Sequence, residues 1–420
     1  MFQFEKIEES LPLHAKRDPG ADTAIGPIRV IDFTHFIAGP FATMLLADFG
    51  ADVIKIESPG KGEDFRYFPP LDPKLAAQGA PFLWTNRTKR SVGIDLKSPQ
   101  GLEIVRELIA TADVLVENFS TGVMQRFGLD YEQCKAINPN IIYCSVSAYG
   151  REGAFSDRLG FDPVVQAESG FMSMNGFPDR DGVRTASVVM DIGTAMMASN
   201  AILAALLSRE RSGKGQCVEV ALFDTAVLMT GFAAMQHLCT GFDPQRTGNY
   251  SPDTSPSGLF KAKDRPIYVN CANTKIFQRL FANVLGMPEV ANDPALTDAT
   301  GRIKNRKRLF AVLNEKLAEQ SANYWQEKFR AAGITSGEVR TLGEALASDE
   351  ARARGVATRI AHPAAGWIPN IKLPIQFSRT PAVDPVPAPA VGQHTAEVLK
   401  GLLGYGEDRI AALTRSGVIG

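Results

Sequence analysis

Two short segments hold the residues best suited to covalent chemistry: Gly160-Phe161-Asp162 and, about thirty residues on, Val188-Val189-Met190-Asp191-Ile192-Gly193. Asp191 follows three apolar residues and precedes Gly-Thr and a long apolar run, the pattern of a strand-to-helix junction. An aspartate there suits two roles. It can cap the helix that follows, and it can serve as a nucleophile, because the N–H groups of a helix start stabilise its charge. Asp162 can hold a loop by accepting from backbone N–H groups, or it can border a reacting group. Lys97 and Arg126 read either as solvated charges or as partners for phosphate.

Metal chemistry is poorly supported. The five cysteines (Cys134, Cys144, Cys217, Cys239, Cys271) include no C-x-x-C pair, and the five histidines form neither H-x-x-x-H nor H-E-x-x-H. Buried free thiols in a reducing cytosol are the simpler reading.

The elements that must position these residues begin at 28–57, IRVIDFTHFIAGPFATMLLADFGADVIKIE. A β-branched strand runs through a Gly/Pro loop into an apolar helix that stops at Gly50, and a second strand follows. This is a βαβ unit, the building block of parallel α/β sheets, whose ligands bind at the carboxyl ends of the strands. Pro40 suits a first helical turn, and the free N–H groups there can face an anion. The segment lacks G-x-G-x-x-G, so nicotinamide and flavin binding are not indicated. Further strands are expected at 113–117 and 141–145, with helices at 99–112 and 194–209. The character changes near Thr225, and 380–390 is a proline-rich extended segment.

With 420 residues, two domains or one large elaborated one are expected. A net charge of −1 without a basic block gives no sign of nucleic-acid binding. The first 25 residues read as a mobile arm without the apolar run of a secretory signal. No run of 18 uninterrupted apolar residues occurs, so a cytoplasmic protein that does not span a membrane is expected.

The opening βαβ unit resembles that of the family III CoA-transferases, the CaiB/BaiF type. So do NRTKRSVGIDLKSPQG (86–101), ADVLVENFSTGVMQRFGLDY (112–131), NPNIIYCSVSAYG (138–150) and GKGQCVEVALFD (213–224). The resemblance implies an α/β fold. Its large Rossmann-like parallel-sheet domain is discontinuous (1–225 and 335–420), a smaller α+β domain spans 226–334, and two subunits form an interlocked homodimer. It implies transfer of CoA from an acyl-CoA donor to a small carboxylic acid acceptor, with CoA as substrate and no permanently bound cofactor. Asp191 then attacks the thioester, passing through an aspartyl anhydride and an aspartyl-CoA thioester. CoA contacts are implied at Ile37, Ala38, Ile94, Lys97, Asn118, Phe119, Arg126, Arg158, Leu159, Gly160, Phe161 and Asp162.

Alternatives on the same resemblance are an acyl-CoA racemase or isomerase and a non-catalytic CoA-binding protein. The racemases carry histidine where this chain has Phe161, which cannot move a proton. The formyl-CoA/oxalate enzymes carry glutamine where this chain has Ile37. Their tetraglycine lid is replaced here by a Pro/Ser loop at 246–258, whose Arg246 could meet a second carboxylate.

Overall fold

The computed structural model describes residues 7, 11–75 and 78–420 and divides into two compact units. The first comprises 1–171, 185–238 and 346–420, and the second 172–184 and 239–345. The boundary expected at 225/226 lies inside the helix Leu222–Met229. Leu222 and Ala226 are buried in the core of the first unit, so the chain leaves it only after this helix. It returns after residue 345 rather than at 335.

Six strands form the sheet of the first unit: β1 (Arg29–Asp32), β2 (Asp52–Glu57), β3 (Arg90–Gly93), β4 (Val114–Glu117), β5 (Ile142–Ser147) and β6 (Gln216–Ala221). Their order is β3-β2-β1-β4-β5-β6, and every neighbouring pair is parallel. Val30 of β1 faces Val53 on one side and Val114 on the other. Strands covered on both faces must be apolar on both, which is why β1 and β4 read as continuous runs rather than alternations. The strand order reverses between β1 and β4, creating a crevice at their carboxyl ends.

One face is covered by the helix Pro99–Ala110, through Ile104, Val105, Leu108 and Ile109. The C-terminal tail joins it with Val398, Leu399, Leu413 and Ile419. The other face carries the helices Ala38–Asp48 and Val189–Ser212, which pack on each other and on Val30, Val116 and Cys144. By length and composition the second of these could cross a bilayer, but its Met190, Ala195, Ala198 and Ile202 are buried among core residues. The helix Ala38–Asp48 ends before Gly50, whose φ of +110° places it in left-handed territory. A Cβ there would lie 2.4 Å from Cβ of Thr23.

The N-terminal arm is docked rather than free over its described part. His14 N–H donates to the Arg359 carbonyl, Arg359 N–H donates to the Pro12 carbonyl, and Arg17 N–H donates to Asp384. Ala24 and Ile25 donate to the carbonyl of Phe49. In the second unit β7 (Ser257–Lys261), β8 (Pro266–Asn270) and β9 (Thr335–Glu338) form an antiparallel sheet around Phe260, Phe277, Phe281 and Phe329. The antiparallel pair β10 (Ala357–His362) and β11 (Gly366–Ile371) belongs to the first unit, where Ile360 and Ile368 cover Phe82 and Leu83.

Candidate active site

A cavity of about 800 Å³ opens at the carboxyl ends of β1, β4 and β5. The loop after β1 (residues 35–38), the loop after β4 (118–121) and the segment 146–163 line it, together with Val188, Asp191 and Leu222. The two loops flanking the reversal of strand order are locked together. His35 N–H donates to Asn118 Oδ1 at 2.8 Å, and Asn118 Nδ2 donates to the His35 carbonyl at 2.9 Å.

Beneath the loop after β1 lies a buried ionic network. Asp32 accepts from Thr34 N–H at 2.8 Å, from Thr43 Oγ1 at 2.7 Å and from Lys89 Nζ at 2.9 Å. Lys55 Nζ donates to the Thr34 carbonyl at 2.6 Å and lies 2.8 Å from Glu63 Oε1. Glu63 Oε2 in turn accepts from Phe36 N–H at 2.8 Å. Asp32, Lys55, Glu63 and Lys89 are all buried. Burial alone would neutralise Asp32, but Lys89 and Lys55 hold its carboxyl well below the usual range. Burial likewise opposes the charge on Lys55, and Glu63, Asp32 and Glu57 override it. The network fixes Phe36 at φ +63°, a conformation that costs a β-carbon residue about 1 kcal/mol or more. Held there, the Phe36 ring meets Phe65, Phe68 and Phe161 at centroid distances of 5.8, 5.8 and 6.0 Å, making one apolar wall of the cavity.

Asp191 sits in the first turn of the helix Val189–Ser212. This helix starts before the expected residue 194, so Asp191 is inside it and is not its cap. The capping is done by Asp162, whose Oδ2 accepts from Met190 N–H at 2.7 Å and from Asp191 N–H at 3.3 Å. Oδ1 of Asp162 accepts from Gln166 Nε2 at 2.6 Å. The Asp191 carboxylate itself receives no hydrogen bond among the described residues, and it borders the cavity. Burial, reinforced by the charge of Asp162, pushes its carboxyl up to about 7. A carboxyl raised in this way, bordering a cavity and without a hydrogen bond among the described residues, is suited to reversible attack on an acyl carbon.

The helix Ala38–Asp48 brings a second feature. No side chain caps its N-terminus, and Ile37 and Ala38 line the cavity, leaving its first N–H groups to an anion. Gly39 is needed for this approach, since a Cβ there would lie 2.4 Å from Thr34. On the β5 side, Arg151 donates to both oxygens of Glu117 at 3.0 and 3.1 Å and to the Phe119 carbonyl at 2.7 Å. Arg158 pairs with Glu168 and lies over the ring of Tyr149, 4.6 Å from its centroid.

Of the positions singled out from sequence, Ile37, Ala38, Asn118, Phe119, Arg158, Leu159, Gly160, Phe161, Asp162 and Asp191 all line this one cavity. Lys97 and Arg126 do not line it and are exposed. Ile94 is fully buried, bridged to Ile419 and packed in the core, so its side chain cannot touch a ligand. In the second unit, Arg246 donates to the carbonyls of Phe177 and Ser173 at 3.3 and 3.0 Å. Sequence reasoning missed the ionic network and the Phe36, Phe65 and Phe68 wall. A signal existed: Lys55 and Glu57 interrupt a strand whose neighbours leave no solvated face, and charges so placed must be paired.

Comparisons with known proteins identify the family. Residues 26–395 match the model of CoA-transferase family III. Succinyl-CoA:glutarate CoA-transferase of Mus musculus is 36% identical over 93% of this chain and 89% of its own length. Acetyl-CoA:oxalate CoA-transferase of Acetobacter aceti is 37% identical over 78% of this chain and 83% of its own length. Among solved structures, a CAIB/BAIF family protein from Brucella suis superimposes with a TM-score of 0.82 at 33% identity, covering 91% of this chain and all of that one. With the family model spanning most of its length, the chain belongs to CoA-transferase family III, and it is an enzyme of that type.

Proposed function

We propose that the enzyme moves CoA from an acyl-CoA donor to a small carboxylic acid through covalent intermediates on Asp191. The observation that carries this reading is the Asp191 carboxylate: at the cavity wall, without a hydrogen-bond partner among the described residues, and raised to about 7. Its oxygen attacks the thioester carbonyl and expels CoA thiolate, leaving an aspartyl–acyl anhydride. The thiolate then attacks Cγ of Asp191, breaks the anhydride and releases the donor acid. An aspartyl-CoA thioester remains. The acceptor carboxylate attacks that carbonyl and expels thiolate again, and thiolate attack on the acceptor acyl carbon yields the new acyl-CoA and regenerates Asp191. Every step is an acyl exchange, so atoms and charge balance without an added reagent.

The surrounding groups divide the remaining work. Asp162 holds the helix start and keeps Asp191 basic through its like charge. The aromatic wall excludes water that would hydrolyse the anhydride. The uncapped N-terminus at Ile37 and Ala38 receives an anionic oxygen. The nucleotide end of CoA leaves the cavity past Arg158 toward the exposed Lys97 and Arg126. A dicarboxylic acceptor accords with the names of the glutarate and oxalate relatives. A homodimer belongs to the same proposal, since Leu228, Phe232, Met235 and Leu238 expose 61–76% of their surface in one subunit.

Trapping tests the mechanism. Enzyme incubated with succinyl-CoA and quenched with hydroxylamine should carry a hydroxamate on the peptide containing Asp191. A hydroxamate on the Asp162 peptide instead, or normal turnover by folded Asp191→Ala, would overturn it.

A further inference from the structure

A second cavity, of about 490 Å³, lies in the first unit beside Asp48 and Arg87. Asp48 ends the helix that precedes β2, and Arg87 lies three residues before β3. Both mark the amino ends of these strands, opposite the end that carries Asp191. The docked N-terminal arm forms one wall through Leu13, His14 and Arg17, and the chain at 372–385 forms another. None of these residues takes part in the site described above.

The charges here do not balance. Arg87 is spent on Asp48, with Nε–Oδ1 and Nη2–Oδ2 distances of 3.2 and 2.5 Å. Asp384 accepts from the Arg17 main-chain N–H at 2.9 Å and lies 3.7 Å from His14 Nε2. The Arg17 guanidinium is left over: its Nη1 is buried and meets no acceptor among the described residues. Lys372 also lines the cavity and makes no ion pair among the described residues. Burial lowers the pKa of His14, leaving it neutral at pH 7. Three cations (Arg17, Arg87, Lys372) thus stand against two carboxylates (Asp48, Asp384), one positive charge in excess. A buried guanidinium N–H without an acceptor is a costly group that an oxyanion would satisfy. Thr358, Asn370 and Gln376 add neutral polar groups, and Leu373, Ile375 and Phe377 give the cavity an apolar wall that calls for an organic body.

We propose that this cavity binds a small organic monoanion, a carboxylate with an apolar body, through Arg17 and Lys372. The volume lies within the range of small-molecule sites. A carboxylate takes two parallel hydrogen bonds from the planar guanidinium fork, and its tail covers the apolar wall.

The test uses the full-length enzyme carrying Phe377→Trp as an emission reporter, titrated with hexanoate at pH 7. The expected result is a saturable change in emission. Its dissociation constant should rise about tenfold or more when Arg17→Gln and Lys372→Gln are added, and several-fold with Lys372→Gln alone. Lys372 is half-buried and makes no ion pair among the described residues, so that single variant should melt with the cooperativity of its parent. Inorganic phosphate, titrated in parallel, should bind more weakly because it has nothing to place on the apolar wall. Absence of a saturable change, equal affinity in the charge-depleted variants, or phosphate binding as tightly as hexanoate would each overturn the proposal.

Discussion

Replacing Asp191 by asparagine should abolish transfer and yet stabilise the protein above neutral pH. In the folded chain the Asp191 carboxyl is raised to about 7 from an ordinary value of 3.8. The folded state therefore holds this proton more tightly than the unfolded one. Its favourable contribution is complete below about pH 4 and is lost as the pH rises through about 7. The difference, 7 minus 3.8 or about three units, sets a ceiling of roughly 4 kcal/mol on the cost of the ionised carboxylate. Partial solvent access reduces this to about 2–3 kcal/mol, and an amide without a partner takes back about 1 kcal/mol. Asp191→Asn should accordingly fall about 1 kcal/mol below wild type near pH 4 and exceed it by about 1–2 kcal/mol at pH 8.5, read from urea midpoints at the two pH values. The wild-type transfer rate, measured with saturating donor and acceptor, should climb as the pH rises through about 7 because only the carboxylate attacks. If Asp191→Asn proves less stable than wild type at pH 8.5, the carboxylate is a structural cap and the reasoning fails. Appreciable turnover by the same variant would refute its role as nucleophile.

Asp162→Asn keeps an oxygen for the Met190 N–H but removes the like charge, so the pH at which transfer reaches half its maximum should move lower; an unmoved midpoint would sink the coupling. Lys55→Met strips Glu63 and the Thr34 carbonyl of their shared cation and should cost about 3–5 kcal/mol in urea unfolding, whereas a loss under 1 kcal/mol would show that the network carries little. An interlocked homodimer should not release folded monomer on dilution, and sedimentation of a compact folded monomer at micromolar concentration would contradict that assembly.

Much of the fold was legible because parallel sheets constrain sequence strongly. A strand covered on both faces must be apolar throughout, and the loop after it must turn quickly into a helix, so 28–57 announced itself as a βαβ unit. The order of motifs carried the family resemblance, and ten of the thirteen singled-out site positions line one cavity. Asp191 was legible as an acidic residue at a helix start, since propensity and polarity patterns act over a few residues.

Other features depended on approaches between distant residues that no local pattern encodes. The sequence placed Asp191 just before its helix, where it would serve as the cap. Only the tertiary structure showed that Asp162, 29 positions away, takes that role and leaves Asp191 free. The ionic network joins Asp32, Lys55, Glu63 and Lys89 from two strands and two loops, so the sequence shows isolated charges while the fold makes them mutually obligatory. Ile94 illustrates the converse: motif order marked it for CoA, and packing against Ile419 buried it. Local sequence determines which elements form and what chemistry each residue can offer. Long-range packing decides which of those groups are desolvated, and desolvation sets their charge and reactivity.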